Sequence, residues 1–263
     1  MSKKMVGSAV VVVAVMIMIC FSGAAMAQQI HIGQAQPGGP PVGTEEPCIL
    51  NPCLMYAGDF DANGQNPNGL WNANNTAFGI LGTVYIPITV PKKFKGAKGK
   101  TDWQIGGLFV NEQVEDVGLG SAVTGVTWSI VTGTVAENGN PNGNQVKTVC
   151  SGTGMPTVTP TGRSAFGLPE VTVAITGISC PILESGSYWM TLVPTSAAIY
   201  FVSDVEDNSP TNIQGPGTEP TDLSFFVSNA FGFPNFANTT DTAVCGNIGC
   251  DSFSAGVIGV AVH

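Results

Sequence analysis

Apolar and polar residues alternate with a period of two over Val126-Thr127-Trp128-Ser129-Ile130-Val131-Thr132. That period places Val126, Trp128 and Ile130 on one face of a strand, with threonine, serine and valine on the other. Val171-Thr172-Val173-Ala174-Ile175-Thr176 repeats the arrangement. Thr83–Val90 is rich in β-branched residues, and Pro87 predicts an edge or a bulge there, because proline cannot donate to a ladder. Further strands are expected over residues 103–111, Val123–Thr132, 145–151, 171–179, 187–193, 198–203, 223–228 and Ala255–Val262. Helical spacing is absent: every candidate window is cut by glycine or proline. Short strands separated by turn residues predict an all-β antiparallel β-sandwich of the jelly-roll type, each strand with one wet face. Residues 206–222 read as a long loop.

The N-terminus carries a different pattern. Lys3 and Lys4 precede an unbroken apolar run from Val10 to Ile19, and Ala25-Met26-Ala27 offers small residues before Gln28. This is a secretory signal peptide over residues 1–27, cleaved after Ala27. A membrane anchor fits less well, since the apolar core falls short of the roughly 20 residues needed to span a bilayer. Cys20 leaves with the signal, because Ile19 stands where a lipoprotein would have a small residue. Residues 28–47, through Pro-Gly-Gly-Pro-Pro, form an N-terminal arm, and residues 48–263 form the sandwich domain.

Cleavage alters the cysteine count. The chain has seven cysteines, and six remain: Cys48, Cys53, Cys150, Cys180, Cys245 and Cys250. An even number in an exported chain reads as three disulfides, with the pairing open. The simplest arrangement is two local staples, Cys48/Cys53 and Cys245/Cys250, plus Cys150–Cys180. Zinc is disfavoured, since the two histidines, His31 and His263, lie at the ends of the mature chain.

Loss of Lys3 and Lys4 takes the net charge from −9 to −11. That balance argues against nucleic acid, whose phosphates need clustered Lys and Arg. Lys92, Lys93, Lys95, Lys98 and Lys100 are the exception. They read as a solvated loop that discourages edge pairing, rather than as a dock for an anionic polymer.

Chemistry is sparse. Asp59-Phe60-Asp61-Ala62-Asn63-Gly64 begins like a calcium loop, with Asp59, Asp61 and Asn63 as ligands, yet Leu70 stands where the bidentate carboxylate belongs. An Asx-type turn explains the same residues. Calcium is thus the one candidate cofactor, and the preferred expectation is none. No histidine lies where a Ser or Cys nucleophile would need it, and no G-x-S-x-G elbow occurs. Two acidic groups, Glu112/Glu115/Asp116 and Asp204/Glu206/Asp207, read as turns. A glycosidase needs only two suitably spaced carboxylates, so they carry the hydrolase alternative. Trp128 and Trp189 lie in alternating strands and read as core. Trp71, in Asn-Gly-Leu-Trp-Asn-Ala-Asn-Asn, is the best exposed candidate for stacking on a sugar, although packing within its turn is the preferred reading. Asn74-Asn75-Thr76 and Asn238-Thr239-Thr240 match the glycosylation sequon, which has meaning only in a host that uses it.

Three stretches carry a family resemblance. Tyr56 through Asn75, the strand Val126-Thr127-Trp128-Ser129-Ile130-Val131-Thr132-Gly133-Thr134, and Leu183-Glu184-Ser185-Gly186-Ser187-Tyr188-Trp189-Met190-Thr191-Leu192 resemble bacterial secreted β-sandwich exoproteins of the PEP-CTERM and choice-of-anchor type. The resemblance implies an exported surface or matrix protein with no assigned catalytic residues. The chain departs from that family at its end: Val-Pro-Glu-Pro is absent, and Ala255–Val262 is too short to span a membrane and reads as a final strand. The expectation is therefore a secreted, non-enzymatic structural or binding module, released rather than anchored. Its expected partners are extracellular polysaccharide or matrix protein, and the alternative is a secreted glycan-active hydrolase. If the cysteine reading is right, thiol titration of the exported, denatured and unreduced chain will find no free thiol, and one or more per chain would refute it.

Overall fold

The computed structural model describes residues 53–58, 69–90, 102–116, 118, 120–133, 146–165, 167–205, 224–239, 244 and 252–262. The order is β1 (Cys53–Tyr56), β2 (Gly69–Trp71), β3 (Asn74–Asn75), β4 (Ile80–Leu81), β5 (Thr83–Val90), β6 (Asp102–Glu115), β7 (Val123–Thr132) and β8 (Lys147–Gly154). The second half holds β9 (Thr157–Ala165), β10 (Leu168–Thr176), β11 (Gly186–Ser196), β12 (Ile199–Val205), β13 (Phe225–Ser228), β14 (Phe233–Asn238), β15 (Ser252–Phe253) and β16 (Ala255–Val262). They form two sheets, and all pairings are antiparallel except the short contact of β3 with β11.

Each sheet is built around one long strand. In the first, β6 pairs with β10 along one side. On its other side β16 covers the N-terminal part and β12 the C-terminal part. In the second, β11 lies between β5 and β7. The two inner faces meet in one apolar cluster that includes Trp103, Leu108 and Val110 of β6, Trp128 and Ile130 of β7, and Met190 and Leu192 of β11. The fold is the sandwich that the alternation predicts.

Three strands, Thr83–Val90, Val123–Thr132 and Ala255–Val262, occupy the predicted residues. The proline expectation has a geometric basis: β13 covers only Thr83 to Tyr85 of β5, and Pro87 lies past its end. Two differences carry physical information. β6 runs on to Glu115, because β10 and β12 pair with its last residues, so Glu112 and Glu115 are strand residues and not part of a turn. Strand β9, broken in sequence by Pro160 and Gly162, forms because β10 supplies a template from Thr157 to Ala165.

The expectation of one wet face per strand also fails at the centre. Phe109 is sealed with Tyr56 and Ile258 on the far side of the first sheet. Trp189, Phe225 and Val131 form a matching cluster outside the second. Trp189 is therefore buried as expected, but in an outer cluster rather than between the sheets. Close packing fixes glycine at two positions. A Cβ on Gly256 would lie 2.3 Å from two atoms of the Phe109 ring, and one on Gly152 would lie 2.8 Å from the Trp128 indole.

A disulfide joins Cys150 of β8 to Cys180, in the segment that carries the chain from β10 to β11. It ties an edge strand of the second sheet to the crossover leaving the first. With its ends 30 positions apart in sequence, loop-closure entropy gives a stabilisation of about 3.5 kcal/mol. Replacing both cysteines with serine is expected to lower unfolding free energy by about that amount in urea titration, and an unchanged midpoint would show that the bridge constrains nothing.

Candidate functional site

The most unusual group in the interior is a carboxyl. Glu112 is 0% exposed and lies between Val110 and Val114 on the inward face of β6. Across the ladders it faces Val171 of β10 and Val202 of β12. Its Oε1 accepts from Asn72 Nδ2 at 2.7 Å, and its Oε2 has no hydrogen-bond partner among the described residues.

Asn72 directly follows β2 and has no freedom to turn. Its Oδ1 accepts from the backbone N–H of Val84 at 3.2 Å, and a backbone N–H can only donate. The amide nitrogen therefore points the other way and also donates to the Leu192 carbonyl at 2.8 Å. Val84 and Leu192 belong to the second sheet, Glu112 to the first. One side chain thus bonds both sheets through the core. Burial pushes the Glu112 carboxyl well above its ordinary value, and the Asn72 hydrogen bond only partly offsets this. Tyr200, on β12, donates to the Ser121 carbonyl at 2.6 Å. Its phenol is pushed up to about 12, by burial first and then by the Glu112 carboxyl.

A second polar group lies on the opposite face of the same sheet. Asn111 Nδ2 donates to Tyr56 Oη at 3.1 Å and to Ser254 Oγ at 2.8 Å, and Thr172 Oγ1 donates to Asn111 Oδ1 at 2.6 Å. Ser254 stands where β12 gives way to β16 beside β6. Its N–H reaches the Ser203 carbonyl and its carbonyl takes the Asn111 N–H, each at 2.8 Å. Glu170 neighbours this group on β10. Its Oε1 accepts from Ser203 Oγ at 2.7 Å, and its Oε2 accepts from Thr161 Oγ1 at 2.8 Å and from Arg163 Nε. Glu170 pairs with Gln113, and Glu112 with Val171, so the two buried carboxylates point to opposite faces of the sheet. They do not form a pair across a groove.

Trp71 is not available for stacking on a sugar. It is 5% exposed, with its Nε1 donating to the Ala73 carbonyl at 3.2 Å. Phe201 and Phe231 meet its ring edge-on, at centroid separations of 6.0 and 5.3 Å. The polar residues around it suggest a wet loop, but β12 pairs with β2 and draws the indole inward. Of the first acidic group, Glu112 is sealed, Glu115 is half-buried and Asp116 is exposed. Asp116 caps its own turn, accepting from the N–H groups of Gly118 and Gly120 at 2.9 and 3.1 Å. Asp204 lies on β12 opposite Phe253, and Glu206 and Asp207 lie outside the described residues. So do Asp59, Asp61 and Asn63, Cys48, Cys245 and Cys250, the lysine loop, the signal segment and the arm. Cys53 is disulfide-bonded, to a partner outside the described residues.

Sequence reasoning passed over Asn72 and Glu170. Glu170 leaves a usable signal: it stands two residues before Thr172 in an alternating strand, on the face that was expected to be wet. Asn72 leaves none, because its partners lie 12, 40 and 120 residues away.

Glu170→Ala would break the buried ion pair with Arg163 and remove the acceptor used by Thr161 Oγ1 and Ser203 Oγ. The expected loss is about 3–5 kcal/mol of unfolding free energy. Chemical denaturation measures it, and a loss under 1 kcal/mol would show that water replaces the carboxylate.

No family model matches the chain, and no curated protein sequence matches it. Among solved structures it is similar to a surface layer associated protein of Clostridium difficile, in a structure of that protein's cysteine protease and lectin-like domains. The match has 12% identity and a TM-score of 0.29, and it covers 68% of this chain and 32% of the other. The chain thus spans about a third of that structure's length, and a likeness of this depth says nothing of function.

Proposed function

We propose that the chain is an exported, non-enzymatic structural or binding module of the extracellular matrix or cell surface, with polysaccharide or a matrix protein as its contact. The observation that carries this reading is the Cys150–Cys180 bridge between the edge of one sheet and the crossover from the other. Such a bridge persists in an oxidising compartment and is rare in a reducing one. The signal segment over residues 1–27 supports the same compartment, and for Asp59, Asp61 and Asn63 an Asx-type turn is preferred over a calcium site.

The use made of the carboxylates favours a module over a glycosidase. Hydrolysis needs two carboxyl groups about 5–9 Å apart on either side of a bound sugar. Glu112 is committed to the interior, Glu170 to Arg163, and Asp116 to its turn. The hydrolase reading is left with Glu115, Asp204, Glu206 and Asp207.

A glycan array probed with the exported chain tests the two readings together. Binding is expected to survive the combined change of Glu115 and Glu206 to Gln and of Asp116, Asp204 and Asp207 to Asn. Release of reducing ends by the unaltered chain, abolished in that variant, would establish the hydrolase instead. A melting temperature unmoved by chelator would remove calcium.

A further inference from the structure

We propose that Glu112 is a proton-held latch between the two sheets: neutral, it accepts the Asn72 amide and lets the interior close; ionised, it forces the sandwich open at this point. The geometry assigns the proton. Oε1 faces an amide nitrogen that can only donate, so Oε1 is the carbonyl oxygen and the O–H belongs to Oε2. Oε2 has no partner among the described residues. A neutral O–H left without a partner costs far less than a buried anion held by one hydrogen bond.

Among the described residues no cation relieves that anion. Burial and the Asn72 hydrogen bond are the influences on the carboxyl. On β12 the titratable neighbour among the described side chains is Tyr200, a phenol neutral throughout the range concerned. On β11, Tyr188 lies four residues from Leu192 and turns its hydroxyl to the Glu184 carbonyl at 3.0 Å. On β10, Glu170 and its partner Arg163 of β9 occupy the other face of the sheet. On β5, Tyr85 packs with Phe236 outside the second sheet. On β6 itself, Glu115 and Asp116 lie at the strand's open end. Segment β2 and Asn72 bring no charge.

The sign follows. The folded state holds this proton to higher pH than the unfolded chain does, from the ordinary carboxylate value of 4.5 upward. Below that value both states are protonated and the latch costs nothing. As pH rises above it the unfolded chain ionises first, and folding loses ground. Release passes the proton from Oε2 to solvent base, leaving a carboxylate that stays ionised only by reaching water, and Asn72 then loses its bond to the first sheet.

Glu112→Gln keeps an Oε1 acceptor and cannot ionise. The folding equilibrium constants of the unaltered, disulfide-intact chain and of this variant are to be compared from pH 4 to pH 9. The expected ratio is constant below about pH 4.5 and then moves against the unaltered chain by about tenfold per pH unit, until the folded state itself ionises. A flat ratio across the whole range would overturn the proposal. Infrared spectra of the unaltered chain with labelled glutamate provide a test that needs no variant. A protonated carboxyl band persisting to higher pH in the folded chain than in the unfolded one is expected, and a band lost at the same pH in both would overturn the proposal as surely.

Discussion

Glu112 lies on the longest strand of one sheet, and its carboxyl meets an amide held by two backbone groups of the other. A polar group taken into a dry interior must find a partner there or cost stability. Asn72 meets that demand with both amide hydrogens and its oxygen, and so fixes the distance and register between the sheets at one point. The valines beside Glu112 can slide against their neighbours, whereas hydrogen bonds at 2.7 and 2.8 Å cannot. Specificity at this point comes from a group that does not favour stability, the compromise that buried polar groups often make.

The same logic shapes the far side of the first sheet. β16 and β12 share one flank of β6, and a ladder divided between two strands leaves a junction. Ser254 fills it, with backbone bonds to Ser203 and Asn111 and a hydroxyl that donates to the Gly58 carbonyl at 2.6 Å. Asn111, Thr172 and Tyr56 extend the network, and Glu170 secures edge strand β9 through Arg163 and Thr161. These side chains are consumed in holding strands to one another. Function, on this reading, belongs to the loops and to the surface of a rigid scaffold, where binding residues are disproportionately found.

The acidic residues show where sequence reading stopped. Glu112, Glu115 and Asp116 are three acidic residues within five positions, and composition alone makes them a solvated turn. In the fold they have three environments: sealed core, half-buried strand end and exposed turn cap. Asp116 behaves as its residue type suggests. Glu112 does not, because Val110 and Val114 on either side belong to a strand that two neighbours extend. Trp71 is packed, as its preferred reading has it, but a loop rich in asparagine gave no sign that Phe201 and Phe231 would enclose it.

By itself the sequence determined what local periodicity carries. Two-residue alternation set the strand class, and the boundaries of Thr83–Val90, Val123–Thr132 and Ala255–Val262 followed from it. The Cys150–Cys180 pairing was read as the simplest arrangement of the even cysteine count, and it is present. Tertiary structure alone decided which faces are dry. Alternation says that two faces differ; it does not say what covers each one. Phe109 and Asn111 are buried because other strands and segments lie over them, and Glu112 became the group on which the sheets meet because Asn72, 40 residues earlier, was brought opposite it. Contacts of that range depend on the whole chain's path, which no local pattern encodes.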